Sequence, residues 1–330
     1  MSKEQGLKAV AEELRRHRRF LVTSHVHPDG DAVGSVLAMG WLLRQLGKEA
    51  RLVLPERVPA AYAFLPGQEA IETVGEAAPE QDADAVVVVD CSDLGRLGRV
   101  REILPPGAVV INIDHHLQNE FEGPKYVRTE AAATGELLYE VIREFGLKPD
   151  CDTATCLYTA LLTDTGSFRF ANTTADTLRI AADLLALGVS PSCVAEQVYD
   201  VRPLASLRLL AEVLATLQVT PCGRVAWLTM DEGMLERHGL DASETEGIVN
   251  YARTIAGVKI GALFRWVGPS LTRVSWRSRP GYDVAKLAAR FGGGGHVNAA
   301  GCDIPQPVPQ AAQSGVRAAL EAIREVDGEA

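Results

Sequence analysis

The sequence has few cysteines and none at close spacing. Its six cysteines are scattered and include no C-x-x-C pair, which excludes the regular spacing of a small disulfide framework. The chain also lacks any stretch of about 20 uncharged apolar residues, the length that a membrane-spanning helix requires. The first 20 residues mix charged and apolar residues at helical spacing, unlike a secretory leader. These absences predict a protein of a reducing compartment, the cytoplasm.

Positive charge is also scarce. The 330 residues contain 33 Lys and Arg against 43 Asp and Glu, for a formal net charge of −10. An acidic surface repels polyanions, which argues against binding of long duplex nucleic acid and leaves short phosphorylated molecules as candidate ligands. With 47% hydrophobic and 23% charged residues, the composition is that of a globular protein, and the length predicts two domains.

Apolar strands alternate with helices through the first half of the chain. The predicted strands are 20–23, 51–54, 85–89 and 109–113, and the predicted helices are 33–46, 132–145, 152–162 and 175–187. Runs of β-branched residues separated by helices are typical of an α/β fold with a doubly wound, mainly parallel sheet. The first domain is therefore expected at residues 1–190.

The second half of the chain has a different pattern. Residues 191–217 carry no strand signal, and we expect a helical connector at 191–220. Beyond it, the predicted strands are 224–230, 258–267 and 271–278, and the predicted helices are 244–255, 284–291 and 309–326. This pattern predicts a smaller mixed α/β domain at residues 221–330.

Acidic and histidine residues follow the predicted strands of the first domain. The first strand runs into Ser24-His25-Val26-His27-Pro28-Asp29-Gly30-Asp31-Ala32-Val33-Gly34-Ser35, the third ends at Asp90, and the fourth ends in Asp114-His115-His116. A further acid, Asp164, ends the apolar stretch 157–162. Because ligands of open α/β sheets bind beyond the carboxyl ends of the strands, we expect these groups to meet at one edge of the sheet.

Four carboxylates at this edge, Asp29, Asp31, Asp90 and Asp164, would repel one another unless cations neutralise them. Two divalent cations balance the four negative charges, and carboxylates with one or two imidazoles suit Mn²⁺, Mg²⁺ or Fe²⁺, with Zn²⁺ also compatible. Two such ions about 3.5–4 Å apart support phosphoryl displacement. Each acid alone is better explained as a turn or helix-cap residue, so the prediction of a two-metal site depends on their joint occurrence.

These motifs resemble those of the DHH phosphoesterase family. The resemblance extends from Ser24-His25-x-x-Pro28-Asp29-Gly30-Asp31-Ala32-x-Gly34-Ser35 through Asp90, Asp114-His115-His116 and Asp164. Phe291-Gly292-Gly293-Gly294-Gly295-His296-x-x-Ala299-Ala300-Gly301 resembles the companion DHHA1 domain, so nearly the whole chain is covered. The compact two-domain form is most similar to the subfamily of bifunctional oligoribonucleases and 3′-phosphoadenosine 5′-phosphate (pAp) phosphatases.

The resemblance implies roles for individual residues. The implied metal ligands are His25, Asp29 and Asp90 for one ion, and Asp31, Asp90, His115 and Asp164 for the other. His116 would contact the reacting phosphate or protonate the leaving oxygen, and Asp114 would orient the two histidines. His27, two residues from His25, is not assigned as a ligand.

Two segments of the second domain are candidates for binding a substrate phosphate. In the glycine run, Gly293, Gly294 and Gly295 would turn backbone N–H groups toward an anion, with the N-terminus of a following helix and His296 adding to the site. Between 257 and 282 the chain has five basic residues and no acid. There the resemblance assigns Arg277 and Ser278 to the phosphate, and Arg suits bidentate phosphate contacts. Trp276 is interpreted as a core residue, with base stacking as the alternative.

The resemblance and the charge pattern together predict a Mn²⁺-dependent enzyme that hydrolyses very short RNA and pAp. Hydrolysis of cyclic dinucleotides or their linear products is the first alternative, and an exopolyphosphatase or pyrophosphatase is the second. An amidohydrolase on a TIM barrel, suggested by the H-x-H pair, would need eight βα units that the late β-rich segment does not supply. A non-enzymatic nucleotide-binding module would need a damaged metal constellation, whereas every position is present. The expected partners are short single-stranded RNA, dinucleotides and pAp, without long duplexes or membranes, and a homodimer is left open.

Overall fold

The computed structural model describes residues 2–75, 83–245 and 247–328. The chain divides into two compact units, Met1–Val201 and Arg202–Ala330. The first contains strands β1 (Arg19–Thr23), β2 (Glu49–Leu54), β3 (Ile71–Thr73), β4 (Ala85–Val89), β5 (Val109–Asp114) and β6 (Lys125–Val127), with helices α1 (Lys3–Arg16), α2 (Gly30–Gln45), α3 (Thr134–Glu144), α4 (Cys151–Asp164), α5 (Ala175–Leu185) and α6 (Pro191–Ala195). The second contains β7 (Gln218–Val219), β8 (Val225–Met230), β9 (Ile260–Gly268), β10 (Leu271–Ser278), β11 (Gly294–His296) and β12 (Ala299–Ile304), with α7 (Leu204–Leu214), α8 (Met234–His238), α9 (Val249–Thr254), α10 (Val284–Ala289) and α11 (Val308–Asp327).

The sheet of the first unit is parallel throughout, with strand order β3-β2-β1-β4-β5-β6. The order reverses between β1 and β4, which are hydrogen-bonded neighbours. The loops that follow these two strands therefore start side by side at the carboxyl edge, at the point where open α/β sheets bind ligands. The predicted parallel α/β sheet is confirmed, and the short edge strands β3 and β6 are additions to the prediction.

The two faces of this sheet are covered differently. Alternate residues of β1, β4 and β5 pack against helices α1 to α4 in the main core, as expected for strands with a period of two. The opposite face, which includes Leu21, Val86 and Val88, packs against Leu97 and Val100 of a 3₁₀ segment. Within the described residues, a thin layer of 3₁₀ turn and loop thus covers this second face.

Helix α2 packs closely against α4, and two glycines of the first motif make this approach feasible. A Cβ atom at Gly30 would lie 2.5 Å from the Thr163 side chain, and one at Gly34 would lie 2.4 Å from the carbonyl oxygen of Cys156. Because the N-terminus of α2 meets the C-terminus of α4 here, this packing brings Asp31 and Asp164 toward each other. The motif glycines are therefore needed for the packing that builds the site.

The Gly34→Ala substitution is expected to lower the free energy of unfolding by roughly 1–3 kcal/mol, because the added methyl meets a helix backbone that cannot rotate away. Gly40→Ala is the matched control in the same helix, since the atoms nearest its Cβ would be the rotatable methyl groups of Leu52, at 2.8 and 2.9 Å. Urea unfolding measures both variants. Equal free energies of unfolding for the two variants would contradict a requirement for the close approach of α2 to α4.

The second unit is built on a mixed sheet with strand order β11-β12-β10-β9-β8-β7, in which β8 and β9 are parallel and the other pairs antiparallel. One face packs against α10 and α11 around the fully buried Trp276 and Phe264, so the core interpretation of Trp276 agrees with the structure. The predicted helix at 244–255 begins later, as α9 after a 3₁₀ turn at Ala242–Thr245; residue 246 lies outside the described residues. None of the described helices is long and apolar enough to cross a bilayer.

Candidate active site

The loop after β1 carries two of the predicted ligands to the start of α2. Asp29 is the N-cap of this helix, and its Oδ1 accepts hydrogen bonds from the backbone N–H groups of Asp31 and Ala32 at 3.1 and 3.0 Å. His25 is buried, and its Nδ1 lies 2.8 Å from the carbonyl oxygen of Val26. Since a carbonyl oxygen only accepts, Nδ1 carries a proton, and in the neutral imidazole Nε2 keeps the lone pair that a cation could bind.

Asp90 follows β4 in a strained backbone conformation, with φ at +53°. Few residues other than glycine adopt this left-handed region, and such strain concentrates at functional sites. The Asp90 carboxylate is buried: Oδ2 lies 3.3 Å from Nε2 of His25, and Oδ1 lies 3.5 Å from Nε2 of His115. Asp90 thus contacts a histidine on each side.

The Asp114-His115-His116 sequence ends β5 and begins the next loop. The buried Asp114 carboxylate accepts from Nδ1 of His116 at 2.7 Å and from the backbone N–H of His115 at 2.9 Å. Nδ1 of His115 lies 3.3 Å from the carbonyl oxygen of Ala131, so Nδ1 carries a proton and, in the neutral imidazole, the Nε2 lone pair faces the acidic cluster. Asp114 therefore holds the His116 ring and the backbone of His115, whereas the carbonyl oxygen of Ala131 holds the His115 ring.

The six predicted metal ligands fall into two groups. The potential ligand atoms of His25, Asp29 and Asp90 lie within 4.8 Å of one another, as do those of Asp31, His115 and Asp164. Nε2 of His115 is 3.2 Å from Asp164 and 3.5 Å from Asp90, so Asp90 borders both groups. His27 lies outside both; its Nδ1 is 2.9 Å from Glu56, and its side chain is largely exposed.

The cluster strongly perturbs its own ionisation. Burial and the nearby Asp90 carboxylate raise the pKa of Asp31 to about 8, and burial also raises the pKa of Asp164 well above its usual range. Burial opposes ionisation of Asp90 too, but hydrogen bonds from His115 and His25 outweigh it and hold the pKa of Asp90 well below its usual range. Burial would lower the pKa of His115, yet Asp164, Asp90 and Asp31 together raise it well above normal. The site therefore attracts positive charge.

The donor set fits divalent cations. His25 and His115 both direct an Nε2 lone pair at carboxylate oxygens, an arrangement of acceptors facing acceptors that needs a proton or a cation between them. Carboxylate oxygens and imidazole nitrogens are ligands for hard to intermediate divalent ions. Four carboxylates match the charge of two such ions.

Three residues near the cluster escaped the sequence prediction. Thr134 donates from its hydroxyl to Asp90 at 3.1 Å, Arg96 places Nη1 3.3 Å from Nε2 of His116, and Asn119 donates to Asp114 at 2.8 Å. Thr134 begins α3, and its position directly after the Ala131-Ala132-Ala133 run could have identified it as the start of a helix. Arg96 and Asn119 lie in loops, where no periodic pattern identifies them.

The glycine run of the second unit has a different structure from the expected one. Gly294, Gly295 and His296 form β11, which pairs with β12, so the end of the glycine run is itself a strand and the next element is a strand and not a helix. The expected helix N-terminus is therefore absent at this point. A Cβ atom at Gly293 would lie 2.2 Å from the carbonyl oxygen of Gly301, whereas one at Gly294 would meet nothing within 4 Å. Close packing against β12 explains why residue 293 is a glycine. At residue 294, packing does not require a glycine.

Arg277 and Ser278 lie on opposite faces of β10, because neighbouring strand residues point to opposite sides. Ser278 is buried, and its hydroxyl donates to the carbonyl oxygen of Tyr282 at 2.6 Å and accepts from Asn298 at 2.9 Å. Arg277 is partly exposed on the face that also carries Arg273. The structure thus places on opposite faces of β10 the two residues that the resemblance assigned to one phosphate. The Ser278 hydroxyl instead connects the neighbouring loops through its bonds to Tyr282 and Asn298.

The fold and site define an α/β protein with a carboxylate–histidine centre at the strand-order reversal of a parallel sheet. Residues 19–161 match the model of the DHH family, N-terminal domain, and residues 224–326 match that of the DHHA1 domain. The chain is 35% identical over 304 residues to the bifunctional oligoribonuclease and PAP phosphatase NrnA of Thermus thermophilus, covering 91% of this chain and 89% of the relative. It is 28% identical over 289 residues to the protein of the same name from Bacillus subtilis, covering 86% and 89%.

Among solved structures, an exopolyphosphatase-related protein from Bacteroides fragilis superposes with a TM-score of 0.89 at 25% identity, covering 98% of both chains. The chain therefore belongs to the DHH family of phosphoesterases, with a DHHA1 domain. It is a hydrolase that acts on phosphoester bonds. The resemblance recognised in the motifs is confirmed.

Proposed function

We propose that this enzyme uses two divalent cations, Mn²⁺ in the first instance, to hydrolyse very short RNA and to convert pAp into AMP and phosphate. The observation that carries the proposal is the pair of ligand groups that meet at Asp90. The names of the Thermus and Bacillus relatives support the substrate class. We place this enzyme in the cytoplasm and expect it to act on short substrates and not on long duplexes. A homodimer is the oligomeric state to be tested.

The proposed ligands follow the two groups. His25, Asp29 and Asp90 would hold one ion, and Asp31, Asp90, His115 and Asp164 would hold the other. When bound, the ions would supply Lewis acidity that polarises the phosphoryl group and activates water. The hydrogen bonds of Nδ1 in His25 and His115 fix each imidazole so that Nε2 stays directed at the cluster.

His116 is proposed to act on the reacting phosphate. Its Nδ1 donates to Asp114, which fixes the tautomer and leaves Nε2 as the group that can accept or, once protonated, donate. Nε2 lies 3.3 Å from the Arg96 guanidinium, so a positive group stands beside the position where an anionic substrate would approach. Such preorganised charge stabilises the negative charge that develops on a transferring phosphoryl group.

Residues of the second unit are proposed to bind a further phosphate of the substrate. Arg277 offers a planar donor group for bidentate phosphate contacts. The run Gly293, Gly294 and Gly295 with His296 offers backbone and imidazole donors, and Gly294 has open space where a side chain would stand. Ser278 is proposed to support this region through its bonds to Tyr282 and Asn298.

The test is a hydrolysis time course on 5′-labelled RNA of graded length, from the dinucleotide to strands several times longer, with pAp in parallel. With Mn²⁺ the shortest RNAs and pAp should be cleaved fastest, and a chelator should abolish both activities until Mn²⁺ is restored. Turnover of cyclic dinucleotides in place of both substrates would reassign the substrate class. Equal rates on short strands and long duplexes, or full activity in the chelator, would contradict the proposal.

A further inference from the structure

Helix α3 begins without a capping side chain of its own. Its N-cap, Ala133, makes no side-chain hydrogen bond, although the first N–H groups of a helix need acceptors. The Asp31 carboxylate, distant in sequence, supplies them: the N–H groups of Thr134 and Gly135 donate to its two oxygens at 2.6 and 2.9 Å. One of the proposed metal ligands is thus fixed by the N-terminus of α3, where the helix dipole favours negative charge.

Thr134 contacts a second carboxylate of the same cluster. Its hydroxyl donates to Oδ1 of Asp90 at 3.1 Å, and the residue is fully buried. A single residue therefore holds Asp31 through its backbone and Asp90 through its side chain. These two carboxylates belong to different ligand groups.

The segment that leads into α3 is itself held in place. The Asn172 amide donates to the carbonyl oxygens of Ala132 and Asp164, each at 3.1 Å. The buried Glu136 carboxylate accepts from the Thr177 hydroxyl at 3.0 Å and from the N–H of Ala132 at 3.4 Å. With its neighbours fixed in this way, the Thr134 side chain has a defined position from which to orient Asp90.

The Thr134 contact differs from the other contacts of Asp90. His25 and His115 approach the same carboxylate through Nε2, the nitrogen that each would use to bind a cation. If these nitrogens bound cations, they would not donate to Asp90. The hydrogen bond from the Thr134 hydroxyl to this carboxylate uses neither of these two nitrogens.

We propose that Thr134 is a positioning residue for the metal centre, whose hydroxyl fixes the orientation of the Asp90 carboxylate shared by both ligand groups. This inference rests on the proposed function, since it presumes that Asp90 binds cations. Groups behind the ligands of a metal site commonly change metal affinity about 10- to 100-fold when removed. Loss of the hydroxyl should therefore weaken metal binding and lower kcat, with KM little changed.

The experiment compares Thr134→Val, which keeps the β-branched shape and the backbone N–H, with Thr134→Ser, which restores the hydroxyl. Thr159→Val is the matched control, because Thr159 is equally buried and its hydroxyl donates only along α4, to the carbonyl oxygen of Thr155. Mn²⁺ affinity of the metal-free proteins is measured by calorimetry, and kcat and KM are measured on a dinucleotide. We expect about a 10- to 100-fold loss of affinity in Thr134→Val, recovery in Thr134→Ser and no change in the control.

Wild-type affinity and kcat in Thr134→Val would overturn the inference, and so would a Thr134→Ser variant as impaired as the valine one. If the valine variant does not fold, Thr134→Ala, which adds no bulk, replaces it with the same expected losses. Failure of the wild-type protein to bind Mn²⁺ would instead overturn the proposed function. The two failures are therefore distinguishable.

Discussion

Replacing Asp90 with asparagine is expected to abolish hydrolysis and to leave the fold intact. The carboxylate borders both ligand groups, so its loss removes a charged ligand from each of the two proposed ions. Metal ions supply several kcal/mol of charge stabilisation in the transition state, which corresponds to a fall in kcat of about a thousandfold or more. Asparagine tolerates the left-handed φ of this position, and its oxygen still accepts from the Thr134 hydroxyl.

Asp84→Asn is the matched control for this substitution. Asp84 precedes the same strand, β4, at its opposite end, and its carboxylate accepts from the backbone N–H groups of Arg18 and Arg19. The control variant should retain wild-type kcat, whereas Asp90→Asn should match the chelated wild-type enzyme. Residual activity of Asp90→Asn within tenfold of wild type, with an unchanged circular dichroism spectrum, would contradict the assignment of Asp90 as a shared ligand.

The sequence predicts the first unit well because the strands and the chemistry coincide there. Apolar β-branched strands such as Ala85–Val89 are buried on both faces, and that pattern is readable without tertiary information. Asp90 directly follows β4 and Asp114 is the last residue of β5, so parallel pairing alone brings them to one edge. The short edge strands β3 and β6 have only three residues each, too few to carry a period of two.

Residues that support the site could not be predicted in the same way. Thr134 reaches Asp31 and Asp90 only because α3 packs beside α2, a tertiary relation that no local pattern contains. Arg96 lies in the 3₁₀ segment that follows β4, and an arginine in such a segment is predicted to be a surface residue, although its guanidinium contacts His116. The roles of such residues depend on distances between elements, and only the folded chain defines them.

In the second unit, the sequence shows the motifs of the glycine run and of β10 but does not predict their local structure. Successive glycines favour a turn toward an anion, yet the backbone of Gly294–His296 pairs with β12 as a strand. Likewise, Arg277 and Ser278 are adjacent in the motif, but strand geometry directs them to opposite faces. Of the two, Arg277 lies on the partly exposed face of the strand, where its Nη1 donates to the carbonyl oxygen of Trp276 at 3.0 Å, so the proposed phosphate contact is tested at this residue.

Arg277→Met is accordingly expected to lower kcat/KM on pAp and on dinucleotides, with most of the loss in KM. The methionine keeps an apolar stem of similar length but removes the guanidinium. A hydrogen bond to a charged group contributes about 1.5–3 kcal/mol, so the expected loss in kcat/KM is about 10- to 150-fold. Steady-state kinetics at saturating Mn²⁺ measure it.

Arg273→Met separates a specific phosphate contact from the general basic charge of β10. Arg273 lies on the same face of the strand, and its Nε and Nη2 each donate to the Asp303 carboxylate at 2.9 Å. Removing it changes the net charge by the same amount as Arg277→Met, yet should lower kcat/KM by less than about threefold, because the Asp303 carboxylate already engages this guanidinium. Equal losses in the two variants would show that the strand acts through its overall charge, and would refute a dedicated phosphate contact by Arg277.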